Sequence, residues 1–146
     1  MIEDIRTYIA TCNLLDQYTA VNVDYLVDKV KAYSISESPA YNQIISEDIN
    51  ETQHKQCLFT FDSKFYWNEE VANNISNLNF YDNFSDWLED NSNNGIFPTL
   101  NSGLTPTKIQ ALTNGYIFQT KNDEAIYRIQ CVLFYDKMYN DDLESI

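Results

Sequence analysis

The pattern that most constrains the fold of this chain is an alternation of side chains near its C-terminal end. Every second residue of this run is apolar or aromatic, and the row comprises Tyr127, Ile129, Cys131, Leu133 and Tyr135. Successive side chains of a β-strand point to opposite faces, so this period of two predicts a strand over residues 125–135 with one buried face. A second strand-like run, over residues 108–120, precedes it across a short polar stretch. The two runs predict an antiparallel β-hairpin.

Further strand-like runs lie upstream. Residues 25–36 begin with a short apolar patch and then alternate, and the sequence SESP ends the run. Ile44 and Ile45 open another run, and the sequence QCLFTF (56–61) forms its partner after a polar segment. These two predict a long hairpin with a polar tip.

Two parts of the chain have helical periodicity. Apolar residues spaced by three and four form one stripe over residues 2–15, inside an N-terminal helical region that we assign to residues 1–20. Residues 68–78 and 80–90 each carry a further apolar stripe, and the asparagine-rich junction between them permits a kink. The sequence NSNNGIFP ends the second of these helices, because it contains a glycine and a proline.

These elements predict one α+β domain over residues 1–146. Strands that follow one another through short turns pair antiparallel, so we expect a mostly antiparallel sheet of about four strands with the helices packed on one face. We expect the acidic C-terminal tail, residues 137–146, to fray or to dock on another protein.

The charge balance argues against binding to nucleic acids. The chain has 22 acidic and 9 basic residues and a net charge of −13, and phosphate contacts dominate affinity for nucleic acids. The three cysteines are widely spaced, which favours reduced, buried thiols over a disulfide or zinc framework. No apolar run approaches the roughly 20 residues that span a bilayer. The N-terminus has acids where a signal peptide has bases, so we expect no membrane contact and no export by that route.

Groups with obvious chemistry are few. The sequence DNSNNG matches part of an EF-hand loop, but the twelfth position is Asn101, which cannot supply the two carboxylate oxygens that calcium needs there. His54 is the only histidine and lies on a predicted hairpin flank without the partners of a catalytic triad. The glycines form no phosphate-binding pattern. We therefore predict a protein that is not an enzyme, with no catalytic residue, no cofactor and no metal site.

Aromatic residues are in surplus. The chain has 11 tyrosines and 8 phenylalanines, more than the helix stripes and one sheet face need. On the last strand, both faces become apolar toward the C-terminal end. Apolar and aromatic residues on the far face of a sheet indicate contact with another protein. Coverage of that face by the chain's own N-terminal helix or tail is the alternative.

Several longer motifs run through the sequence. An aromatic-rich helix ends in F-x-x-W-L-E, carried by Phe84, Trp87, Leu88 and Glu89. A P-x-K-I-x-x-L-x-x-G-Y-x-F strand follows, carried by Pro106, Lys108, Ile109, Leu112, Gly115, Tyr116 and Phe118. A Y-x-I-Q-C-x-L-x-Y strand closes the pattern, carried by Tyr127, Ile129, Gln130, Cys131, Leu133 and Tyr135. Two shorter upstream motifs are carried by Tyr33, Ser34, Ile35 and Pro39, and by Phe59, Phe61, Ser63 and Trp67.

With these motifs, the chain from about Tyr25 onward resembles a family of small proteins from phages and prophages of Gram-positive bacteria. The family is filed as minor capsid or tail proteins and is similar to phage tail terminators. The resemblance implies a mixed sheet with helices on one side and a homo-oligomeric, hexameric ring without cofactor. The ring would cap the head-proximal end of the tail tube in the virion, after synthesis in the host cytoplasm. Its partners would be the tail tube protein and neck, connector or sheath proteins.

We expect subunit or tail-tube contacts to involve six residues: Tyr33, Ile44, Phe65, Tyr116, Phe118 and Tyr135. The acidity fits such a ring if DNA passes through it passively, because lumenal carboxylates would keep the phosphate backbone from sticking. Two alternatives stay open. One is another head–tail connector, neck or minor capsid protein, and the other is an acidic binding module that mimics DNA.

Overall fold

The computed structural model describes residues 1–16, 19–27, 32–39, 43–49, 52–66 and 71–138. These ranges contain two helices, α1 (Ile2–Ile9) and α2 (Val71–Asn93). They also contain seven strands: β1 (Val21–Val23), β2 (Tyr33–Ser38), β3 (Ile44–Glu47), β4 (Thr52–Tyr66), β5 (Leu104–Ala111), β6 (Tyr116–Lys121) and β7 (Glu124–Met138).

The sheet is built around two 15-residue strands, β4 and β7, which pair antiparallel along their whole length. Beyond β4 lie β2 and β3, and beyond β7 lie β5 and β6. The strand β1 pairs with β2 in parallel, so the sheet is mixed. The predicted α+β class is confirmed, whereas the prediction of about four strands is too low, because the edges of the sheet are assembled from short separate strands.

A bend explains part of this difference. The run predicted as one strand over residues 108–120 is two strands, β5 and β6, which both pair with β7. Between them, the amides of Leu112 and Thr113 both donate to the carbonyl oxygen of Gln130. Gly115 lies in the same bend, and a Cβ atom there would overlap the side chain of Tyr81 on α2. The edge therefore bends where the chain comes closest to the helix.

The helix α2 is continuous from Val71 to Asn93, so the two helical segments predicted over residues 68–78 and 80–90 form one helix. Asparagine is a weak helix former, but it does not break a helix whose aromatic stripe packs on a sheet. The helix ends at Asn93, and Gly95, two residues beyond it, has a φ of 71°. There the amide of Ile96 donates to Asn91 O and the amide of Gly95 donates to Ser92 O, which is a Schellman cap. The EF-hand-like residues thus terminate a helix.

The helix α1 is shorter than the predicted region 1–20. It ends at Ile9, after which the chain makes tighter turns, with the amide of Thr11 donating to Tyr8 O and that of Cys12 donating to Ile9 O. The Thr11 hydroxyl also donates to Tyr8 O, a local bond that competes with continued α-helix.

Two other predicted boundaries shift as well. The run predicted over residues 25–36 contributes β2 from Tyr33, and residues 28–31 lie outside the described part of the chain. The predicted tail begins later than residue 137, since β7 continues to Met138, and residues 139–146 lie outside the described ranges.

The core lies between the two helices and one face of the sheet, and aromatic rings dominate it. Tyr81 and Phe84 of α2 are fully buried, and Phe84 stacks on Phe61 of β4 with ring centroids 4.7 Å apart. The Tyr81 hydroxyl donates to Tyr127 O at 3.0 Å and also bonds the Ser63 hydroxyl. The three cysteines are free and buried, as predicted. Much of the aromatic surplus therefore serves this core.

Candidate functional site

The opposite face of the sheet carries no helix in the described part of the chain. It presents the alternate residues of β4 and β7, where Asp62 pairs with Arg128 and Leu58 pairs with Val132. Thr60 and Val132 are 8% and 1% exposed even so. These two side chains are therefore nearly inaccessible to solvent, although no described helix covers this face.

An ion pair lies near one end of this open face. The guanidinium of Arg128 donates to both carboxylate oxygens of Asp62, from Nε at 2.8 Å and from Nη2 at 2.9 Å. The ring of Phe118 lies over the guanidinium, with its centroid 3.6 Å from Cζ. The hydrogen bonds that Arg128 donates to Asp62 raise the pKa of Arg128, so the guanidinium stays charged. Bidentate bonding together with stacking holds the arginine in one geometry.

Aromatic and apolar side chains lie at this edge of the sheet, with Tyr116 opposite Arg128 on the open face and Ile117 opposite Tyr127 on the covered face. The Tyr116 hydroxyl accepts a hydrogen bond from Gln130 Nε2 at 3.0 Å. Phe118, Ile117 and Leu112 are 49%, 42% and 49% exposed. We call these four residues the β6 patch: Leu112, Tyr116, Ile117 and Phe118. An arginine set among exposed aromatic residues is typical of the energetic centre of a protein interface.

A second exposed apolar group lies on the β3–β4 hairpin. Ile44, Ile45 and Ile49 are 36%, 51% and 97% exposed, and all four residues of β3 are exposed. We call these three isoleucines the β3 patch. Three exposed isoleucines within six positions form a cluster, which a single exposed apolar residue would not.

The two patches lie at diagonally opposite corners of the sheet. Ile44 pairs with Lys55, which pairs with Tyr135, and Ile117 pairs with Tyr127 of the same strand β7. Strand geometry separates them by about 26 Å along the strands and about 14 Å across the sheet. One molecule therefore presents two different apolar surfaces that do not touch each other.

The six predicted contact residues divide into three groups. Ile44, Tyr116 and Phe118 lie at the surface, in the two patches. Tyr33 and Tyr135 are 2% and 7% exposed and belong to the core, so they cannot serve as surface contacts in this fold. Phe65 is partly buried and packs against Phe80 and Tyr127. The burial of Tyr33 and Tyr135 was not evident from the sequence, because strand alternation identifies two faces of a sheet and does not reveal which face the helices cover.

Sequence reasoning missed five residues of this surface. They are Ile45, Ile49, Leu112, Ile117 and Arg128. Ile49 sits in the segment predicted to be a polar tip, and only its own apolarity signalled a contact. The pairing of Arg128 with Asp62 depends on the register between β4 and β7, which local patterns do not supply.

The described residues offer little reactive chemistry. Burial raises the pKa of the Cys57 thiol to about 12 and raises that of Cys131 further, so both remain protonated and unreactive at neutral pH. Within the described ranges, no group of three or more His, Cys, Asp or Glu side chains is placed to hold a metal ion. Neither described helix is long and apolar enough to cross a membrane.

Comparison of the sequence with protein-family models and with curated proteins found no match.

Proposed function

We propose that this protein is a structural component of a phage or phage-like tail: a tail terminator whose copies form a closed, hexameric ring. The proposal rests on the resemblance of residues 25–135 to that family, and on one observation above all. The molecule carries two different exposed apolar patches at diagonally opposite corners.

Two unlike patches suit a head-to-tail contact between copies. In such a contact, the β3 patch of one subunit meets the β6 patch of the next, and a suitable rotation closes the ring. A two-fold dimer, in contrast, uses the same surface on both partners, so a dimer through one patch would leave the other patch exposed on each subunit. The separation of the patches therefore favours a ring or a chain of subunits over a pair.

The β6 patch has the properties of the stronger half of such a contact. Arg128 is already held by Asp62 and stacked on Phe118, so it loses little conformational freedom when a partner binds. Phe118 still exposes half of its surface. Ordered aromatic and arginine side chains contribute more binding energy than flexible ones of similar area.

The net charge of −13 fits the same role. A ring of acidic subunits around the path of DNA would repel phosphate and let the DNA pass without sticking. Electron cryomicroscopy of assembled tails would test this part separately, because a basic lumen at the position of the ring would contradict it.

Assembly can be tested with variants of each patch. Size-exclusion chromatography with light scattering, with and without purified tail tubes, should find a hexamer or a monomer that becomes hexameric on the tubes. Ile45→Ser/Ile49→Ser removes the β3 patch, and Leu112→Ser/Ile117→Ser reduces the β6 patch while leaving the cover over Arg128 in place. Each variant should remain monomeric under both conditions.

Mixing the two variants gives the sharpest readout. A head-to-tail contact leaves one intact patch on each, so the mixture should form a heterodimer and stop there. Ile96→Ser is the matched control, because Ile96 is 53% exposed and lies in neither patch. Wild-type-like hexamers from either patch variant would contradict the proposal. A tight one-to-one complex with a DNA-binding enzyme, without self-assembly, would replace it with the DNA mimic.

A further inference from the structure

A single histidine connects three separate segments next to the β3 patch. His54 lies on β4, and its ring reaches Asp136 on β7 and Asp48 at the end of β3. Nδ1 of His54 is 2.7 Å from Asp136 Oδ1, and Nε2 is 3.7 Å from Asp48 Oδ2. The imidazole thus lies between the carboxylate of Asp136 on β7 and that of Asp48, the residue that follows β3.

The protonation state of His54 decides how many of these contacts are favourable. An ionised carboxylate only accepts hydrogen bonds, so Nδ1 donates to Asp136 whether the ring is neutral or charged. In the neutral ring, Nε2 then carries a lone pair that faces the carboxylate of Asp48. In the charged ring, Nε2 carries a proton and the same contact becomes an attraction between opposite charges.

Asp48 organises the turn that carries the β3 patch. Its Oδ1 accepts a hydrogen bond from the amide of Thr52 at 3.0 Å, and its own amide donates to Thr52 O at 3.1 Å. The next residue in the chain is Ile49, the most exposed residue of the β3 patch. A contact that positions the Asp48 carboxylate therefore also helps to position Ile49.

We propose that His54 is a proton-operated latch on the β3–β4 hairpin, which draws Asp48 toward β4 and holds the β3 patch in place when the ring is charged. Release of the proton leaves the bond to Asp136 and removes the attraction for Asp48. The hairpin is then held less firmly, and Ile49 becomes more mobile.

The sign of the pH dependence follows from the groups around the ring. The hydrogen bond to Asp136 raises the pKa of His54 above its ordinary value near 6.5, with smaller contributions from the negative charges of Asp136 and Asp48. Lys55 and Lys137 lie on the same two strands, and strand alternation directs them to the other face. The latch is therefore fully closed below about pH 6.5 and opens as the pH rises through the higher folded-state pKa.

Because the chain has one histidine, its ring can be followed without ambiguity by NMR. We expect a folded-state pKa above 6.5 in the wild type, a clear decrease in Asp136→Asn and a smaller one in Asp48→Asn. Asp123→Asn is the matched control, since it removes the same charge from the exposed β6–β7 turn far from His54. A wild-type pKa at or below 6.5, or an equal decrease in the control, would overturn the latch.

A second measurement reads the hairpin itself. Hydrogen exchange of the Thr52 amide, corrected for the intrinsic effect of pH, should be slower with the latch closed by about two- to fivefold, the scale of one exposed ion pair. The comparison spans about pH 5.5 to about pH 8, the range in which a histidine titrates. In His54→Gln, the corrected rate should not change with pH. Equal pH dependence in His54→Gln and wild type would refute the proposal.

The latch stands independently of ring assembly, since both measurements succeed or fail on the monomer. If the ring also forms through the β3 patch, its assembly should weaken as the pH rises, and His54→Gln should remove that dependence. Ring stability could instead be independent of pH while Thr52 exchange still shows the latch. That result would mean that the contact between subunits tolerates a mobile hairpin.

Discussion

The two faces of the sheet share the same pair of long strands and are held together in different ways. On the covered face, neighbouring residues of β7 such as Tyr127 and Ile129 are fully buried under α2. On the open face, their alternates include Arg128, which is fixed by an ion pair with Asp62. The covered face depends on excluding water from aromatic rings, and the open face depends on a few directed contacts. Residues one position apart therefore have opposite tolerances to substitution.

The difference also separates stability from binding. The covered face contains most of the buried apolar side chains, so substitutions there should change the free energy of unfolding. The exposed apolar residues lie at the corners of the sheet, in the β3 and β6 patches, where substitution should leave folding nearly unchanged and alter contacts between molecules.

The largest effect should come from the covered face. Phe84 is fully buried and stacks on Phe61, so Phe84→Ala should lower the free energy of unfolding by about 3–5 kcal/mol through lost burial and a cavity. Urea denaturation followed by far-UV circular dichroism measures this. Leu78→Ala is the control on the same helix, since Leu78 is 38% exposed, and it should cost less than about 1 kcal/mol. Equal losses would show that α2 is not docked as described.

An intermediate effect should come from the bend between β5 and β6. Gly115→Ala places a methyl group against the buried side chain of Tyr81, and overpacking of this kind costs about 1–3 kcal/mol. Gly95→Ala separates this from backbone strain, because Gly95 has a positive φ and nothing within 4 Å of an added Cβ, so it should cost about 1 kcal/mol. Near-UV circular dichroism should report a changed tyrosine environment for Gly115→Ala only.

A comparable effect should come from the open face. Asp62→Asn leaves the Arg128 guanidinium without its counter-charge and should cost about 2 kcal/mol, since the pair is only partly shielded from water. The double variant Asp62→Asn/Arg128→Gln should recover part of this loss in a double-mutant cycle, because it removes the uncompensated charge. A loss as large as that of Phe84→Ala would contradict the contrast between the faces. A loss near zero would show that Phe118 alone keeps Arg128 in position.

Sequence reasoning identified the elements with strong periodicity and misjudged those that depend on distant contacts. The alternation on β7 predicted its strand, although β7 extends to Met138. The prediction of two separate helical segments failed because local propensity around the asparagines does not include the packing of Phe80 and Phe84 on the sheet. The strand prediction over residues 108–120 failed at the bend, where Gly115 packs against Tyr81, a residue more than thirty positions earlier in the chain.

The exposure of the predicted contact residues also depends on distant contacts. Tyr116, Phe118 and Ile44 were selected as contact residues and lie at the surface, whereas Tyr33 and Tyr135 are buried. Apolarity alone does not distinguish the two outcomes, because a buried and an exposed aromatic residue have the same sequence signature. The interactions of His54 were equally hidden, since Asp48 and Asp136 lie on opposite sides of it in sequence.

The sequence by itself determined the α+β class, the two-residue period of the long strands, the buried thiols and the strongly acidic surface. These follow from local spacing and composition, which act through contacts between near neighbours and through total charge. Only the tertiary structure decided the number of strands, which sheet face the helices cover, the pairing of Arg128 with Asp62, and the placement of two apolar patches at opposite corners. Those features depend on the register between distant strands, and register is set by packing over the whole sheet.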